Sequence, residues 1–319
     1  MNVQLNWIRG VFAKAFHALP VLLLFCSSAA LAGRASDSAG ACSGTTEDAL
    51  RSCRQGAESD YWLAAGKCLN LSNPARQTSC QKHASADLQD ARQTCDDQQE
   101  ARQAVCAALG EAPYDPVINP ARFVGKIDNP YFPLTPGTTL VYEGVTEDGL
   151  ERDEFAVTHN TRVILGVTCI EVHDVGSLDG ELVEDTLDWF AQDKDGNVWY
   201  FGENSRQIEG GLVVGVRGSW TAGVDGAKPG IIMKAHPAVG DLYRQEFSLG
   251  VAEDMGQVLS LNATATVPAG SFDHCLKTKD FSPLEPDALE QKFYAAGVGS
   301  VLEIDKNTGE RLELVRIEQ

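Results

Sequence analysis

The chain has 319 residues, of which 43% are hydrophobic and 22% are charged. This balance allows a buried core and excludes a wholly disordered chain. The formal net charge of -19 predicts repulsion from phosphate groups, so nucleic acid and anionic membrane surfaces are not expected as partners.

Residues 1–32 have the three parts of a secretory signal peptide. Two basic residues come first, residues 19–25 form an apolar core, and Ala30-Leu31-Ala32 is a small-x-small cleavage site. A transmembrane anchor is disfavoured because a span needs about 20 apolar residues, and a lipidated Cys26 is disfavoured by the bulky residue before it. We therefore expect a cleaved, periplasmic or secreted chain without a transmembrane segment, for which nine cysteines are ordinary.

The remaining sequence divides into two parts that differ in composition and charge. Residues 33–113 are rich in Ala, Gln, Arg and Cys, and carry 8 basic and 11 acidic residues. Residues 114–319 are rich in Gly, Val, Thr and aromatic residues, and carry 16 basic and 34 acidic residues. Closely spaced prolines at the boundary predict a Pro-rich linker over 114–137, with domains at 33–113 and 138–319.

Six cysteines in the first part are spaced symmetrically about Pro74, at intervals of 11, 15, 12, 15 and 11 residues. Asn73 and Pro74 are typical of a helix start, and the flanking residues predict helices over 47–70 and 75–109. Two antiparallel helices would bring mirror-related cysteines level with each other. The predicted disulfides are Cys42–Cys106, Cys53–Cys95 and Cys68–Cys80.

Other arrangements of these cysteines fit less well. Eleven residues of helix span about 16 Å, whereas bridged Cα atoms lie within about 7 Å, so pairing within one helix is excluded. A metal site is disfavoured because no two cysteines are two to four residues apart. The outermost pair is the least secure, because residues 43–46 are expected to leave Cys42 just before the first helix.

From residue 138 the hydrophobic pattern changes to alternation with a period of two, and turn signals such as Asp-Gly separate the segments. The sequence therefore predicts an α+β chain of two domains, in which a disulfide-stapled antiparallel α-hairpin precedes an antiparallel all-β barrel or half-barrel. The predicted strands are 138–147, 150–158, 162–175, 181–192, 198–203, 211–220, 242–249, 257–267, 272–280, 290–295, 300–304 and 311–317.

Three segments of the second part carry a resemblance to a known group. Residues 129–138 are Asn-Pro-Tyr-Phe-Pro-Leu-Thr-Pro-Gly-Thr, residues 267–272 are Val-Pro-Ala-Gly-Ser-Phe, and residues 294–299 are Tyr-Ala-Ala-Gly-Val-Gly. Together they resemble uncharacterised exported bacterial proteins with a lipocalin-like β-barrel or half-barrel. The resemblance covers roughly residues 129–317 and implies a barrel without a particular reaction. The cysteine-rich hairpin is not part of that pattern.

Two more cysteines, Cys169 and Cys275, fall within predicted strands. An even number of cysteines in an oxidising compartment predicts a Cys169–Cys275 disulfide, and two buried thiols are the alternative.

Asp193, Asp195 and Asn197 place oxygen-bearing side chains at alternate positions, as at the start of a calcium loop. A complete twelve-residue loop would need a glutamate at position 204, which is Asn204. Because Asp-Gly is also a strong hairpin signal, a hairpin turn is the favoured interpretation and bound calcium the alternative; no other cofactor is expected.

Polar side chains share a face along three predicted strands. Aligned faces of this kind predict a polar barrel interior that holds a small molecule or lipid, with a solvated face of cross-strand ion pairs as the alternative. The candidate ligand-binding residues are Glu184, Asp188, Arg244, Glu246, Lys292 and Tyr294.

These patterns favour an exported, non-catalytic binding or scaffold protein with an acidic barrel. An enzyme of lyase or isomerase type that uses polar interior residues is one alternative, and a structural envelope protein is the other. No catalytic residue is assigned, because the sequence lacks a Gly-x-Ser-x-Gly motif, a phosphate-cradling loop and a dinucleotide fingerprint.

Overall fold

The computed structural model describes residues 40–319. The predicted signal peptide, with its cleavage site and Cys26, therefore lies outside the described residues. Over the part that is described, no helix is both long enough and apolar enough to cross a membrane.

Two long helices form the first domain: α1 spans Ala41–Leu69 and α2 spans Pro74–Leu109. The side chain of Asn73 accepts a hydrogen bond from the backbone N–H of Arg76 at 3.1 Å, and Pro74 occupies the first turn of α2. A capping asparagine followed by proline starts a helix because the side chain satisfies a free N–H and proline needs none. The predicted helical hairpin is confirmed.

Three nested disulfides join the two helices, with Cα–Cα distances of 5.6 Å for Cys42–Cys106, 5.8 Å for Cys53–Cys95 and 5.5 Å for Cys68–Cys80. All three predicted pairs are confirmed. Few apolar side chains are buried between the helices besides the cysteines themselves, so the bridges provide much of the contact that holds the hairpin together.

The expectation that Cys42 precedes the first helix is wrong, because α1 already begins at Ala41. Residues 43–46 are weak helix formers, but the chain end of the hairpin holds them in place. The backbone N–H and hydroxyl of Ser43 donate to the Glu111 carboxylate at 2.9 and 2.7 Å, and the Ala41 N–H donates to the Glu111 carbonyl at 3.0 Å.

Removing the outermost bridge is expected to destabilise the hairpin more than removing the innermost one. Cys42 and Cys106 are 64 residues apart and Cys68 and Cys80 only 12, so the larger loop restricts the unfolded chain more. The difference in unfolding free energy is about 1.4 kcal/mol from the logarithmic dependence on loop size. Thermal unfolding of the paired Cys→Ala variants, followed by helical circular dichroism, measures it. Equal losses would contradict this ranking.

One antiparallel sheet forms the second domain, as predicted. The strands are β1 Phe123–Val124, β2 Thr139–Thr146, β3 Gly149–Ile164, β4 Val167–Leu178, β5 Glu181–Asp193, β6 Val198–Glu209, β7 Leu212–Gly215, β8 Trp220–Thr221, β9 Lys228–Met233, β10 Leu242–Arg244, β11 Glu246–Phe247, β12 Met255–Val267, β13 Gly270–Ser282, β14 Glu285–Ala295, β15 Gly299–Asp305 and β16 Arg311–Glu318. The order in the sheet follows an up-and-down path from β10 through β12–β16, then β2–β6, to β9 and β11.

The sheet curls into a nearly closed barrel because one short segment pairs with both of its edges. Arg244 on β10 pairs with Met255 on β12, and Glu246 on β11 pairs with Pro229 on β9. At Gln245, between these two strands, the chain passes from pairing with β12 to pairing with β9. Closure of this kind leaves few unpaired edge groups and encloses an interior.

The segment predicted as a linker is part of the barrel domain, which begins at Tyr114. Phe123 pairs with Asp193 at the end of β5, and Phe132 and Leu134 are buried in the core. The prolines interrupt regular strands, as expected. The apolar residues between them, such as Phe132, cover the end of the barrel at which the β5–β6 and β14–β15 turns lie. The Gly297 N–H donates to the Pro130 carbonyl there at 2.7 Å.

The strand predicted over 162–175 is divided by a tight turn between β3 and β4. Leu165 and Gly166 both have positive φ angles, of 50° and 79°. Glycine adopts this conformation readily, whereas leucine rarely does. Gly166 is therefore a turn signal in the sequence, and Leu165 is not.

Candidate functional site

Eight buried carboxylic acids face the inside of the barrel, and we call this set the acidic interior. They come from eight strands of the barrel wall: β3, β4, β5, β6, β11, β13, β14 and β15. Its members are Asp153, Asp174, Asp188, Glu203, Glu246, Asp280, Glu290 and Glu303.

Lys292 is the buried lysine of this interior. Its Nζ atom lies 3.4 Å from Glu303, 3.6 Å from Glu290 and 3.9 Å from Asp280. The strand register produces this arrangement, since Lys292 on β14 pairs with Glu303 on β15, and Asp280 on β13 pairs with Glu290. Burial by itself lowers the pKa of a lysine, but the surrounding carboxylates raise the pKa of Lys292 well above its ordinary value.

On the other side of the interior, Tyr200 bridges two acids. Its hydroxyl is 2.6 Å from Asp188 and 3.1 Å from Glu203. The indole N–H of Trp220 donates to Glu246 at 2.7 Å. Burial, with the neighbouring carboxylates adding to it, raises the pKa of Asp188, Glu203 and Glu246 well above the ordinary range.

A β-bulge puts Tyr200 and Glu203 on the same side of β6. Trp189 pairs with Gly202 but the next residue, Phe190, pairs with Tyr200, so Phe201 is the extra residue. Gly202 has a φ of 138°, and a Cβ atom there would lie 2.4 Å from the Trp220 carbonyl oxygen. Glycine is therefore required at the bulge that brings Glu203 inward.

Asp153 and Asp174 form a third group of buried acids, in which a negative charge on Asp153 disfavours ionisation of Asp174. Burial raises the pKa of Asp153 to about 7 and that of Asp174 well above its ordinary range. Neighbouring buried carboxyl groups favour the protonated form, because a doubly ionised pair is repulsive.

A cavity of about 30 Å³ lies between an aromatic wall and the acids. Phe132, Phe155, Phe190 and Tyr200 line the aromatic side, whereas Glu246, Asp254, Asp280 and Lys292 line the polar side. This volume accommodates about two water-sized groups.

Several buried oxygen atoms at this site have no hydrogen-bond partner among the described residues. They are Oδ2 of Asp188, Oε1 of Glu246 and Oδ1 of Asp254. A buried carboxyl oxygen without a partner is costly, so these atoms mark where a donor is missing. Burial raises the pKa of Asp254 to about 7, although its hydrogen bond to Ser282 and the charge of Lys292 act in the opposite direction.

The structure brings four of the six predicted ligand-binding residues into the interior as buried side chains: Asp188, Glu246, Lys292 and Tyr294. Glu184 is half-buried beside them and accepts hydrogen bonds from Ser205 and Thr186. Arg244 makes different contacts, since its guanidinium lies 4.7 Å from the Phe247 ring and 5.4 Å from the Tyr114 ring.

Sequence reasoning missed several acids of the site. On β3, residues Glu151 to Glu154 are all charged, so alternation does not distinguish an inward Asp153 from its outward neighbours. The inward orientation of Glu203 depends on the bulge in β6, which strict alternation does not predict. Glu303 and Asp280 are recognisable only from their register with Lys292.

Asp193, Asp195 and Asn197 form the β5–β6 hairpin, which confirms the favoured interpretation. The Asp193 carboxylate accepts hydrogen bonds from the backbone of Asp195 and Asn197, both at 2.9 Å, and from the Trp199 indole at 2.9 Å. Asp195 pairs with Arg122 at 2.7 Å. Calcium at this turn stays a prediction.

The predicted Cys169–Cys275 disulfide is wrong, because both residues are buried free thiols. Cys169 lies on β4 and Cys275 on β13, and five strands separate these two in the sheet order. Burial raises the pKa of Cys169 to about 12, so its reactive thiolate form is suppressed.

No protein-family model, curated protein or solved structure matches the chain. The lipocalin-like resemblance therefore stays a prediction, and the case for function depends on the geometry of the barrel.

Proposed function

We propose that the barrel is a binding module for a small molecule that carries an ammonium group. The observation that carries this proposal is the pair of unpartnered carboxyl oxygens on Glu246 and Asp254, two acids that line a cavity with aromatic walls. An ammonium group would donate hydrogen bonds to these two oxygens and would bring a positive charge next to their carboxyl groups.

The aromatic wall supports the same ligand class. Phe190 and Tyr200 stack with their ring centroids 4.7 Å apart, and Trp220 packs edge-on against Tyr200 at 5.4 Å. The faces of aromatic rings attract cations, and ammonium ligands are commonly held between such rings and carboxylates. A lipid chain is disfavoured, because it would leave the buried acids without partners.

Charge balance also supports a cationic ligand. The ion pairs of Lys292 are with Glu303, Glu290 and Asp280. Within residues 40–319, no ion pair joins the acids around Tyr200 to a basic side chain. The size of the cavity favours a ligand whose buried part is a methylated or primary ammonium group rather than a drug-sized molecule.

Export to the periplasm or the medium belongs to the same proposal. Three disulfides indicate an oxidising compartment. The signal-peptide pattern of residues 1–32 supports export to the periplasm or the medium in particular.

Methylammonium chloride is expected to stabilise the barrel, whereas sodium chloride at the same ionic strength is not. A ligand at 100 times its Kd adds about 2.7 kcal/mol, which raises Tm by roughly 5–10 °C for a domain of this size. Calorimetric melting in the two salts measures the difference. We also expect native mass spectrometry of the freshly purified protein to show a retained small cation.

The double variant Glu246→Gln/Asp254→Asn keeps the shape of the cavity and removes two acids. It is expected to weaken methylammonium binding at least about tenfold, or 1.4 kcal/mol. Glu154→Gln is the matched control, because Glu154 lies on the outer face with 45% of its side chain exposed. Equal stabilisation of both variants and the native protein would contradict the proposal.

A further inference from the structure

The hairpin tip, which we define as residues 61–86, differs in charge from the rest of the protein. It carries Lys67, Arg76 and Lys82 and contains no Asp or Glu, whereas the whole chain has a net charge of -19. The nearest acidic residues, Asp60 and Asp87, lie about 14–20 Å from the loop along their helices, and Asp87 is about 8 Å along α2 from Lys82.

The three cations of the hairpin tip are exposed, and none of them has an ion pair within the described hairpin. Elsewhere on the hairpin the exposed arginines are paired: Arg51 with Asp48 at 3.0 Å, Arg54 with Asp96 at 2.6 Å and Arg92 with Glu58 at 2.9 Å. Within the described residues, the tip therefore differs from the rest of the hairpin in having exposed cations without an ion pair.

Large apolar side chains accompany these cations. Trp62 is 69% exposed, Leu69 is 64% exposed and Leu63 is 57% exposed. Single exposed apolar residues are common, but a tryptophan and three leucines, the third being Leu71, at one end of a rod form a patch. Leu69 and Leu71 have only basic residues as charged neighbours in sequence, whereas Trp62 lies about 3 Å along α1 from Asp60. Exposed apolar residues next to basic ones are typical of surfaces that enter the interface of anionic membranes.

We propose that the hairpin tip docks on the surface of an anionic phospholipid bilayer. Leu69 and Leu71, next to the loop, would enter the head-group region, and the basic residues would contact lipid phosphates. Trp62 lies about 10 Å along α1 from its end, a depth that matches the interfacial position preferred by tryptophan.

The net charge of the chain predicts repulsion from such a surface, and the local charge of the tip reverses that prediction. The tip lies about 50 Å along α2 from Leu109, where the chain leaves the hairpin. The Cys68–Cys80 bridge fixes the tip before it binds, so docking orders little additional chain.

Sedimentation with vesicles tests the proposal. We expect the purified protein to bind vesicles of equal parts phosphatidylglycerol and phosphatidylcholine and to dissociate from them at high salt. We expect no binding to vesicles of pure phosphatidylcholine. Each basic residue near an anionic surface changes affinity roughly fivefold, so the variant Lys67→Gln/Arg76→Gln/Lys82→Gln is expected to bind roughly 100-fold more weakly. Binding should also shift tryptophan emission to the blue, and Trp62→Phe should remove that shift.

The variant Arg51→Gln/Arg54→Gln/Arg92→Gln is the matched control, since it removes the same charge from the same hairpin. It is expected to bind within about twofold of the native protein, because those arginines are already paired. Equal loss in both triple variants, equal binding to neutral vesicles, or no binding to anionic vesicles would each overturn the proposal. So would a tip variant that changes only the oligomeric state, which would identify a second copy of the chain as the occupant.

Discussion

The variant Lys292→Met is expected to destabilise the barrel domain by about 3–5 kcal/mol. Removing one partner of a buried ion pair leaves the other charge without compensation, and such losses are in this range. Here three carboxylates, those of Glu303, Glu290 and Asp280, would lose the same cation. Methionine has a similar length and no charge, so the change removes the charge with little loss of packing. Urea denaturation followed by tryptophan fluorescence measures the effect.

Lys234→Met is the matched control for this variant. Lys234 forms a 2.5 Å ion pair with Asp241 on the same domain, but their side chains are 30% and 25% exposed. Exposed pairs contribute up to about 1 kcal/mol, because water already screens and solvates both charges. If the two lysine variants lose the same free energy, the buried cluster does not have the role assigned to it.

A second substitution separates charge from packing at Lys292. Adding Glu303→Gln to Lys292→Met removes the nearest of the stranded charges, 3.4 Å from Nζ in the native protein. The double variant is expected to be more stable than Lys292→Met alone, which gives a coupling energy between contacting residues. A double variant that loses the sum of both single changes would contradict direct coupling.

The hairpin could be predicted closely from sequence because its cysteines act as distance markers. Mirror spacing about Pro74 restricts the pairing to one arrangement once both flanks are helical, and the structure has that arrangement. The start of α1 could not be predicted in the same way. Residues 43–46 have low helix propensity, and the contact that overrides it, with Glu111, joins positions far apart in the chain.

The barrel was predictable as a class but not in its interior. Alternation and turn residues indicate antiparallel strands, yet an inward side depends on the register of each strand with its neighbours. The bulge at Phe201 and Gly202 shifts the alternation within β6, so Glu203 turns inward against the simple pattern. The Cys169–Cys275 prediction was wrong for a related reason, since cysteine parity carries no information on which strands are neighbours.

The barrel domain is expected to unfold at a lower temperature at pH 8 than at pH 5, opposite to the usual behaviour of carboxylates in ion pairs. Burial raises the pKa of Asp153 and of Asp254 to about 7 in the folded protein, from 3.8 for an ordinary aspartate. Between about pH 4 and pH 7 the folded protein therefore holds protons that the unfolded chain has released. Their stabilisation is complete below pH 4 and is lost as the pH rises through 7.

The expected magnitude is large because two acids titrate in the same window. A shift of three pKa units corresponds to about 4 kcal/mol per group, and even half of this would change Tm by about 10 °C for the pair. Burial also raises the pKa of Asp174, Asp188, Glu203 and Glu246 well above the ordinary range, so these acids add to the decline. The pKa of Asp241 is lowered by its hydrogen bond from Lys234, so its contribution is lost only as the pH falls below about 4.

Calorimetric melting between pH 4 and pH 9 at constant ionic strength tests this expectation. The variant Asp153→Asn/Asp254→Asn keeps both side chains neutral at every pH, so its Tm should vary less than that of the native protein. Glu154→Gln, on the outer face of β3 beside Asp153, should leave the native pH profile unchanged. A native Tm that is flat or rises from pH 5 to pH 8 would show that the acidic interior is ionised and compensated in the folded protein. Methylammonium should reduce the decline above pH 7, because a bound cation stabilises the acids in their ionised form.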